Sequence, residues 1–378
     1  MAATSTHTSP GGISKLRPDP SAKPYRMPAE WEPHAATWLA WPHYAGDWPG
    51  KFEPIPWVYA EVIRNLARHE RVELVVNDPV AERKARKLLQ RAGALSSNVR
   101  FRRWPTNRVW MRDSGCIFVK SAVELRSTDS RGRLSPHDSV AIKWRFNAWA
   151  KYSNWKYDEK IGSLMAEACA VDEVRPIFRG KRVVLEGGSI DVNGCGTLLT
   201  TEECLLSKVQ QRNPGMKRAS YEKVFAEYLG SPQVIWLGKG IFGDDTHGHV
   251  DDLCRFVSPD TVITVVESNA KDVNHKPLRD NLRRLRSAHD QSGKRLNVVE
   301  LPMPAPVIFE NRRLPASYAN FYIANGIVLV PVFNDPHDRI ALDTLSRLFP
   351  ARVIGPIYCG DLVWGLGTMH CMTQQQPA

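Results

Sequence analysis

Four stretches of the chain carry side chains whose types and spacing could do chemistry. The densest is GDDTHGHVDDLCRFV, Gly243 to Val257, which holds Asp244, Asp245, His247, His249, Asp251 and Asp252 in one short run. In extended backbone alternate residues share a face, so His247, His249 and Asp251 would line one side. Two chemistries fit that pattern. Three ligands could hold a divalent ion that activates water. Alternatively one His does acid–base work while carboxylates grip a cation. Against the metal, no further His-rich segment supplies an evident extra ligand.

The other three stretches add separated acids and a thiol. RVWMRDSG, Arg108 to Gly115, sets Trp110, Arg112 and Asp113 before a short strand, although an Asp ahead of Ser-Gly also serves simply as a turn former. Glu186 ends the apolar run Val183-Val184-Leu185 and precedes two glycines. Burying that carboxylate without a partner is costly, so it either meets a cation, a His or backbone donors, or merely caps the Gly turn. GLGTMHCMTQQQP, from Gly365 to Pro377, places Cys371 beside His370 and behind Gly365 and Gly367. Glycine lets backbone and ligand approach closely, yet cysteine is also among the residues most often buried in a core.

Taken together, these groups suit attack on a guanidinium carbon. That cation is planar, and its forked N–H donors let carboxylates hold two edges and leave the central carbon open to a thiolate. A free thiol near pKa 8.5 is mostly protonated at neutral pH, so a bound cation and a nearby imidazole would have to favour the thiolate. The same His could protonate departing ammonia and then activate water.

The elements that must position these groups alternate between strand and helix. IPWVYAEVIRNLARHE reads as a helix, VELVVN (Val72 to Asn77) as a strand, and a further helix follows Asp78-Pro79. VRFRRWP, RDSGCIFV and VAIKWRFN read as strands, IGSLMAEAC as a helix, and VVLEGGSIDV as a strand. Three strand–turn–strand pairs then turn at Asn193, Pro259 and Asn325, each 66 residues from the next. Their Asn-Gly and Ser-Pro-Asp turns suit hairpins, and a unit of that length has room for a further strand and helix. Such a repeated β/α module can arrange radially and deliver distant residues to one centre.

The totals narrow the class. A chain of 378 residues that is 43% hydrophobic and 24% charged is a globular protein with a large core. No apolar run is long enough to span a membrane. Residues 1–26 read as a disordered leader without a signal core, and 27–378 as one catalytic domain in the cytoplasm. Seven cysteines without CxxC spacing argue against a disulfide frame or a zinc–cysteine site. The net charge of +11 lies mainly in ERKARKLLQR and LRDNLRRLRSAHD, whose Leu spacing marks them as solvated helix faces rather than nucleic-acid contacts.

The blocks WMRDSG, EGGSIDVNGCGTLLTTEECLL, QRNPG, GDDTHGHVDDLC, LPASYANFYIANGIVLVP and HCMTQQQP resemble, in order, the guanidine-modifying family of agmatine deiminases and bacterial peptidylarginine deiminases. The resemblance runs from about Met27 to the C-terminus. It implies an α/β, pentein-type five-bladed propeller with pseudo-fivefold repeats around a central active-site channel. It also implies hydrolysis without metal or cofactor, giving a ureido product and ammonia, and self-association into a homo-oligomer. By resemblance, Cys371 is the nucleophile and His249 the acid–base. Asp113 and Asp251 hold the guanidinium, Glu186 orients the His, and Trp110 walls the pocket. Asp245 is the candidate for a substrate's distal amine, while His247, Cys116, Cys195, Cys204 and Cys359 are left as structural. The family's Gly-Gly-Gly-Asn-Ile before His-Cys is replaced here by Gly365-Leu366-Gly367-Thr368-Met369, which bears on pocket width and tail recognition.

The rivals are a divalent-metal hydrolase built on His247, His249 and Asp251, deimination of another guanidine such as peptidyl arginine, and a basic nucleic-acid-binding protein. The thiol reading predicts that iodoacetamide or Cys371→Ala abolishes ammonia release while a chelator changes nothing. Chelator-sensitive turnover restored by zinc would overturn it.

Overall fold

Residues 25–121 and 139–378 are described by the computed structural model. Among them, local sequence explains the element boundaries. Asp78 caps helix Pro79–Arg91 by accepting hydrogen bonds from the Val80 and Ala81 amides (2.7 and 2.8 Å), and Pro79 needs no donor partner at the first position. Helix Arg218–Leu229 stops at Gly230, whose left-handed φ of 65° is open to a residue lacking Cβ. Helix His275–Ser287 buries Leu278, Asn281 and Leu285 and turns its arginines outward, where Arg283, Arg284 and Arg286 pair with Asp280 and Glu300. Three arginines of the basic stripe are thus paired with acids at the helix surface. No helix among the described residues is long and apolar enough to cross a membrane.

The described strands form five sheets of three or four strands, plus two short two-stranded ribbons. Each larger sheet contains an antiparallel pair, then a helix, then a parallel strand. Ile117–Ser121 pairs with Ser139–Ile142, and Asp172–Val174 follows in parallel after helix Asp158–Cys169. Asp191–Val192, Thr197–Thr201 and Gln233–Leu237 repeat the pattern. So do Cys254–Ser258, Thr261–Val266 and Asn297–Pro302, and Tyr322–Ala324, Ile327–Val332 and Val353–Tyr358. In the fifth sheet the C-terminal strand Gln374–Pro377 pairs with the early strand His34–Ala40, which Arg71–Val76 and Val99–Arg103 extend in parallel. Both ends of the domain are therefore tied into one sheet.

The hairpin turns expected at Asn193, Pro259 and Asn325 are present, and they contact neighbouring modules. Asn193 accepts from the Cys195 and Thr197 amides (2.9 and 3.0 Å) and donates to the Pro259 carbonyl (2.8 Å). Asn325 exchanges two hydrogen bonds with the backbone of His34 (3.0 and 2.8 Å).

Three expectations are corrected. Of RDSGCIFV, read as a strand, the first residues including Asp113 lie on a single helical turn, Met111–Ser114, and the strand begins only at Ile117. The His-rich run is not extended: His247 and Gly248 have φ of 67° and 94°, and Val250–Asp252 is a 3-10 turn. Asp244 causes this by accepting from the amides of Thr246, Gly248 and His249 (2.7, 2.7 and 3.0 Å), a local ring that competes with strand pairing. Tyr25–Arg26, placed in the leader, forms a strand against Lys120 and Ser121; the rest of that leader lies outside the described residues.

A buried ion network joins the modules. Arg255 is fully buried on strand Cys254–Ser258. It contacts Asp191 (3.1 Å), the Phe321 carbonyl (2.8 Å) and Glu30 (2.8 Å), so one side chain links two other sheets and the N-terminal segment. Burial alone would raise the Glu30 pKa, but Arg255, His370 and Arg112 hold it well below the usual carboxylate range. Removing the cation would strand buried Asp191 and take from Glu30 one of its three positive partners. Arg255→Ala is accordingly expected to lose about 3–5 kcal/mol in urea unfolding, and a loss within the range of a surface mutation (about 0.5 kcal/mol) would refute the network's role.

Candidate active site

Each larger sheet presents a polar residue just ahead of its first antiparallel strand. Asp113 precedes Ile117–Ser121, Glu186 precedes Asp191–Val192, and His249 and Asp251 precede Cys254–Ser258. Asn320 precedes Tyr322–Ala324, and Cys371 precedes Gln374–Pro377 on the helical turn Met369–Met372. All six are buried.

Asp251 is the hub. Its Oδ2 lies 2.7 Å from His370 Nδ1 and 3.5 Å from Cys371 Sγ, while its Oδ1 is 4.0 Å from His249 Nδ1. Asp113 Oδ2 is 3.9 Å from the same imidazole nitrogen. Asp113 is itself held by the Trp149 indole (2.8 Å) and the Gly188 amide (3.0 Å). Glu186 Oε2 faces His249 Nε2 at 3.6 Å, and Arg212 donates to the other Glu186 oxygen at 3.1 Å. Gly188 makes this convergence possible, since a Cβ there would meet His249 Nδ1 at 2.5 Å and both Asp251 and Asp113 near 3 Å.

The charge balance differs between the front and the rear of the site. At the rear, burial would raise Asp251, but the His370 hydrogen bond and charge lower its pKa. Burial likewise opposes Arg212 at Glu186, and the arginine prevails, so that carboxylate stays ionised. At the front His249 faces Asp113 without prevailing: burial still raises Asp113, and burial with Asp251 and Asp244 raises Asp252 well above its ordinary value. Burial would lower His249, yet Asp113, Cys204 and Glu186 raise it well above the ordinary imidazole value, which favours the imidazolium. Burial, then Asp251, Asp252 and Asp113, push the Cys371 thiol up, and only the Asn320 amide donor at 3.1 Å opposes them.

The residues read from sequence as catalytic therefore meet. Asp113, Glu186, His249, Asp251 and Cys371 share one locus, and Trp110 lines the pocket above Cys371. Gly367 permits this packing, because a Cβ there would lie 2.8 Å from the Trp110 ring. Asp245 lines the same pocket at a more open position, its side chain 16% exposed against 3% for Asp113. His247 is turned away to Ser207 (3.1 Å), so the expected His247–His249–Asp251 ligand face does not form. Two other donor sets do cluster, Glu186–Cys204–His249 and Asp251–Asp252–Cys371. In the second set the Asn320 side-chain amide aims its N–H donors at Asp252 (2.9 Å) and Cys371, whereas in the first Arg212 donates to the Glu186 oxygen turned away from His249. The Asn320 donors oppose a metal cation in the second set. Cys204, taken as structural, packs against His249. Of the two departures before the nucleophile, Leu366 lines the pocket, whereas Thr368 is buried and donates to Asn320 (2.9 Å). All seven cysteines are free.

Sequence reading missed Asn320, whose side-chain oxygen also accepts from the His370 amide (3.0 Å). It missed His370, which bridges Asp251 and Glu30 (2.9 Å), and Trp149 and Arg212 as positioning groups. His370 beside the thiol was the one local signal. Asn320 sits in an unremarkable SYANF run.

Comparison with known proteins agrees with this geometry. Residues 26–377 match the model of the Porphyromonas-type peptidyl-arginine deiminase family. The chain is similar to the agmatine deiminase of Pseudomonas aeruginosa, 34% identical over 95% of this chain and 97% of the relative. It is similar to a putative agmatine deiminase of Mycoplasma mycoides at 33%, over 96% and 98%. The solved agmatine deiminase of Enterococcus faecalis superimposes with a TM-score of 0.83 at 29% identity, covering 94% of this chain and 96% of that one. A C. jejuni agmatine deiminase with substrate bound gives 0.79 at 27% identity over 94% and 96%.

The raised thiol has a measurable consequence. A group pushed above its ordinary pKa stays protonated until the pH passes the raised value, so the free protein should show no Cys371 thiolate absorbance at pH 7. The signal, taken as the difference from Cys371→Ala, should grow in only above about pH 8.5. A midpoint below that would contradict the electrostatics.

Proposed function

The chain belongs to the Porphyromonas-type peptidyl-arginine deiminase family, and on that premise we propose that it is an agmatine deiminase, converting agmatine and water to N-carbamoylputrescine and ammonia. The observation that carries the reading is a buried thiol flanked by carboxylates, with both the thiol and Asp113 pushed up despite the facing His249. A guanidinium supplies further positive charge there. Asp113 and Asp251 take its N–H donors on two edges and hold its plane across Cys371.

The substrate's charge offsets the carboxylates that raise the thiol, so cation binding and thiolate formation are coupled and the thiol proton leaves as the cation enters. Sγ attacks the central carbon and forms the C–S bond. The His249 imidazolium gives its proton to one amino group, which departs as ammonia and leaves a Cys371 thiouronium. The now neutral imidazole removes a proton from water as the oxygen attacks the same carbon. Collapse breaks the C–S bond, the hydroxyl proton passes to the departing sulfur, and the ureido product leaves with the thiol and the imidazolium restored. Glu186, kept ionised by Arg212, supports the imidazolium. Trp110 walls the alkyl chain, and Asp245 at the mouth receives the distal ammonium.

The five sheets, each offering its polar residue at one strand end, support an arrangement as the blades of an α/β propeller around this channel. The family model's name keeps one alternative in play, an arginine within a peptide.

A panel of agmatine, free arginine and a peptidyl arginine, assayed for ammonia with and without chelator, tests the reading. Agmatine should be turned over with the highest kcat/KM, and Asp251→Asn should lower kcat by about 10²-fold or more, through lost positioning. Failure to turn over agmatine would sink the proposal.

A further inference from the structure

The mouth of the pocket already holds a cation, and the chain itself supplies it. Lys151 Nζ is ion-paired with Asp245 Oδ1, and the Tyr152 hydroxyl donates to Oδ2 at 2.6 Å. Both oxygens of the acid assigned to the substrate's amine are therefore engaged. A second carboxylate lining the pocket, Asp47, is buried and paired with Arg108. Free acid is thus lacking where a second positive charge would have to bind.

The two partners in the Lys151–Asp245 pair are not equally fixed. The Lys151 side chain is 41% exposed and Asp245 only 16%. Gln210 Nε2 donates to the Asp245 carbonyl (3.0 Å) and to the Trp149 carbonyl (3.2 Å), anchoring both segments. The acid belongs to the rigid wall, and the ammonium stands on a flexible stem that can return to water. Lys151 reaches this position through an unusual turn. Ala148, Trp149 and Ala150 have consecutive positive φ of 51°, 57° and 55°, a region disfavoured for residues with Cβ. The same turn aims the Trp149 indole at Asp113 (2.8 Å). One short segment thus touches the acid at each end of the substrate's path.

We propose that Lys151 is a tethered competitor for the distal ammonium of the substrate: it neutralises Asp245 in the free protein and yields that carboxylate to the incoming amine. The inference rests on the reading that Asp245 receives that amine. Binding then exchanges one ammonium for another, so the tail's contribution to affinity is reduced by whatever the internal pair is worth. The tail contact lies away from the reacting carbon, so the effect falls on KM and not on kcat. A guanidine with an uncharged tail does not contest Asp245 and is indifferent to Lys151.

The test compares agmatine with butylguanidine, which has the same chain without the amine. Lys151→Met should lower the agmatine KM by about 2- to 5-fold, the reach of an exposed ion pair, with kcat and the butylguanidine KM little changed. Lys151→Arg, which keeps a tethered cation, should keep most of the penalty. An unchanged or raised agmatine KM in Lys151→Met, while Asp245→Asn raises it, overturns the competitor and leaves the amine subsite standing. An equal fall for both substrates also overturns it, because that would be general charge rather than competition. Should Asp245→Asn leave the agmatine KM untouched, the subsite reading fails and the competitor falls with it.

Discussion

The structure depends on burying several carboxylates around one sulfur without neutralising all of them. Asp251 is fully buried and is shared between His370, Cys371 and the facing His249. Burying such a charge is affordable only because the rear of the site is complete: His370 passes the contact to Glu30, and Arg112 and Arg255 close it. Around the thiol the facing His249 does not offset burial, and there Asp113, Asp252 and the thiol are all pushed up. The site is therefore electrostatically unfinished in one direction only. A planar cation entering from that direction is both what the acids select and what releases the nucleophile.

On the proposed reading, this asymmetry keeps the Cys371 thiol protonated in the free protein. A thiolate standing permanently in a pocket open to solvent would react with oxidants and electrophiles. Raising its pKa with the same carboxylates that bind the substrate makes reactivity conditional on occupancy. It also explains how a chain of net charge +11 can accept a cation. The positive charge resides in helix faces such as His275–Ser287, whose arginines are paired locally, while the acids converge on the channel.

The modular sheets supply the geometry that this balance requires. Asp113, Glu186, His249 with Asp251, Asn320 and Cys371 each sit just before the first antiparallel strand of a different sheet. Strand ends are held by the ladders behind them, so a group placed there is fixed more firmly than one on a free loop. The last of these positions depends on the C-terminal strand Gln374–Pro377 joining His34–Ala40, which makes nucleophile placement a property of the whole domain.

Much of this was legible in the amino-acid order alone. Asn-Gly turns at a fixed interval announce hairpins because few residues adopt their backbone angles, and Leu spacing announces helix faces. An acid ending the Val183–Leu185 run announces a buried partner, because desolvation makes any other outcome costly. Those signals are local, and so the residues that converge on the pocket could be named. What tertiary structure alone decided is pairing across long separations. Asn320 became the amide that serves Cys371, His247 was turned out by the Asp244 ring while His249 was turned in, Thr368 was hidden while Leu366 was shown, and Lys151 reached Asp245. A side chain's identity states which bonds it can make, but only the packed sheets determine which partner lies within reach and whether burial makes that bond obligatory.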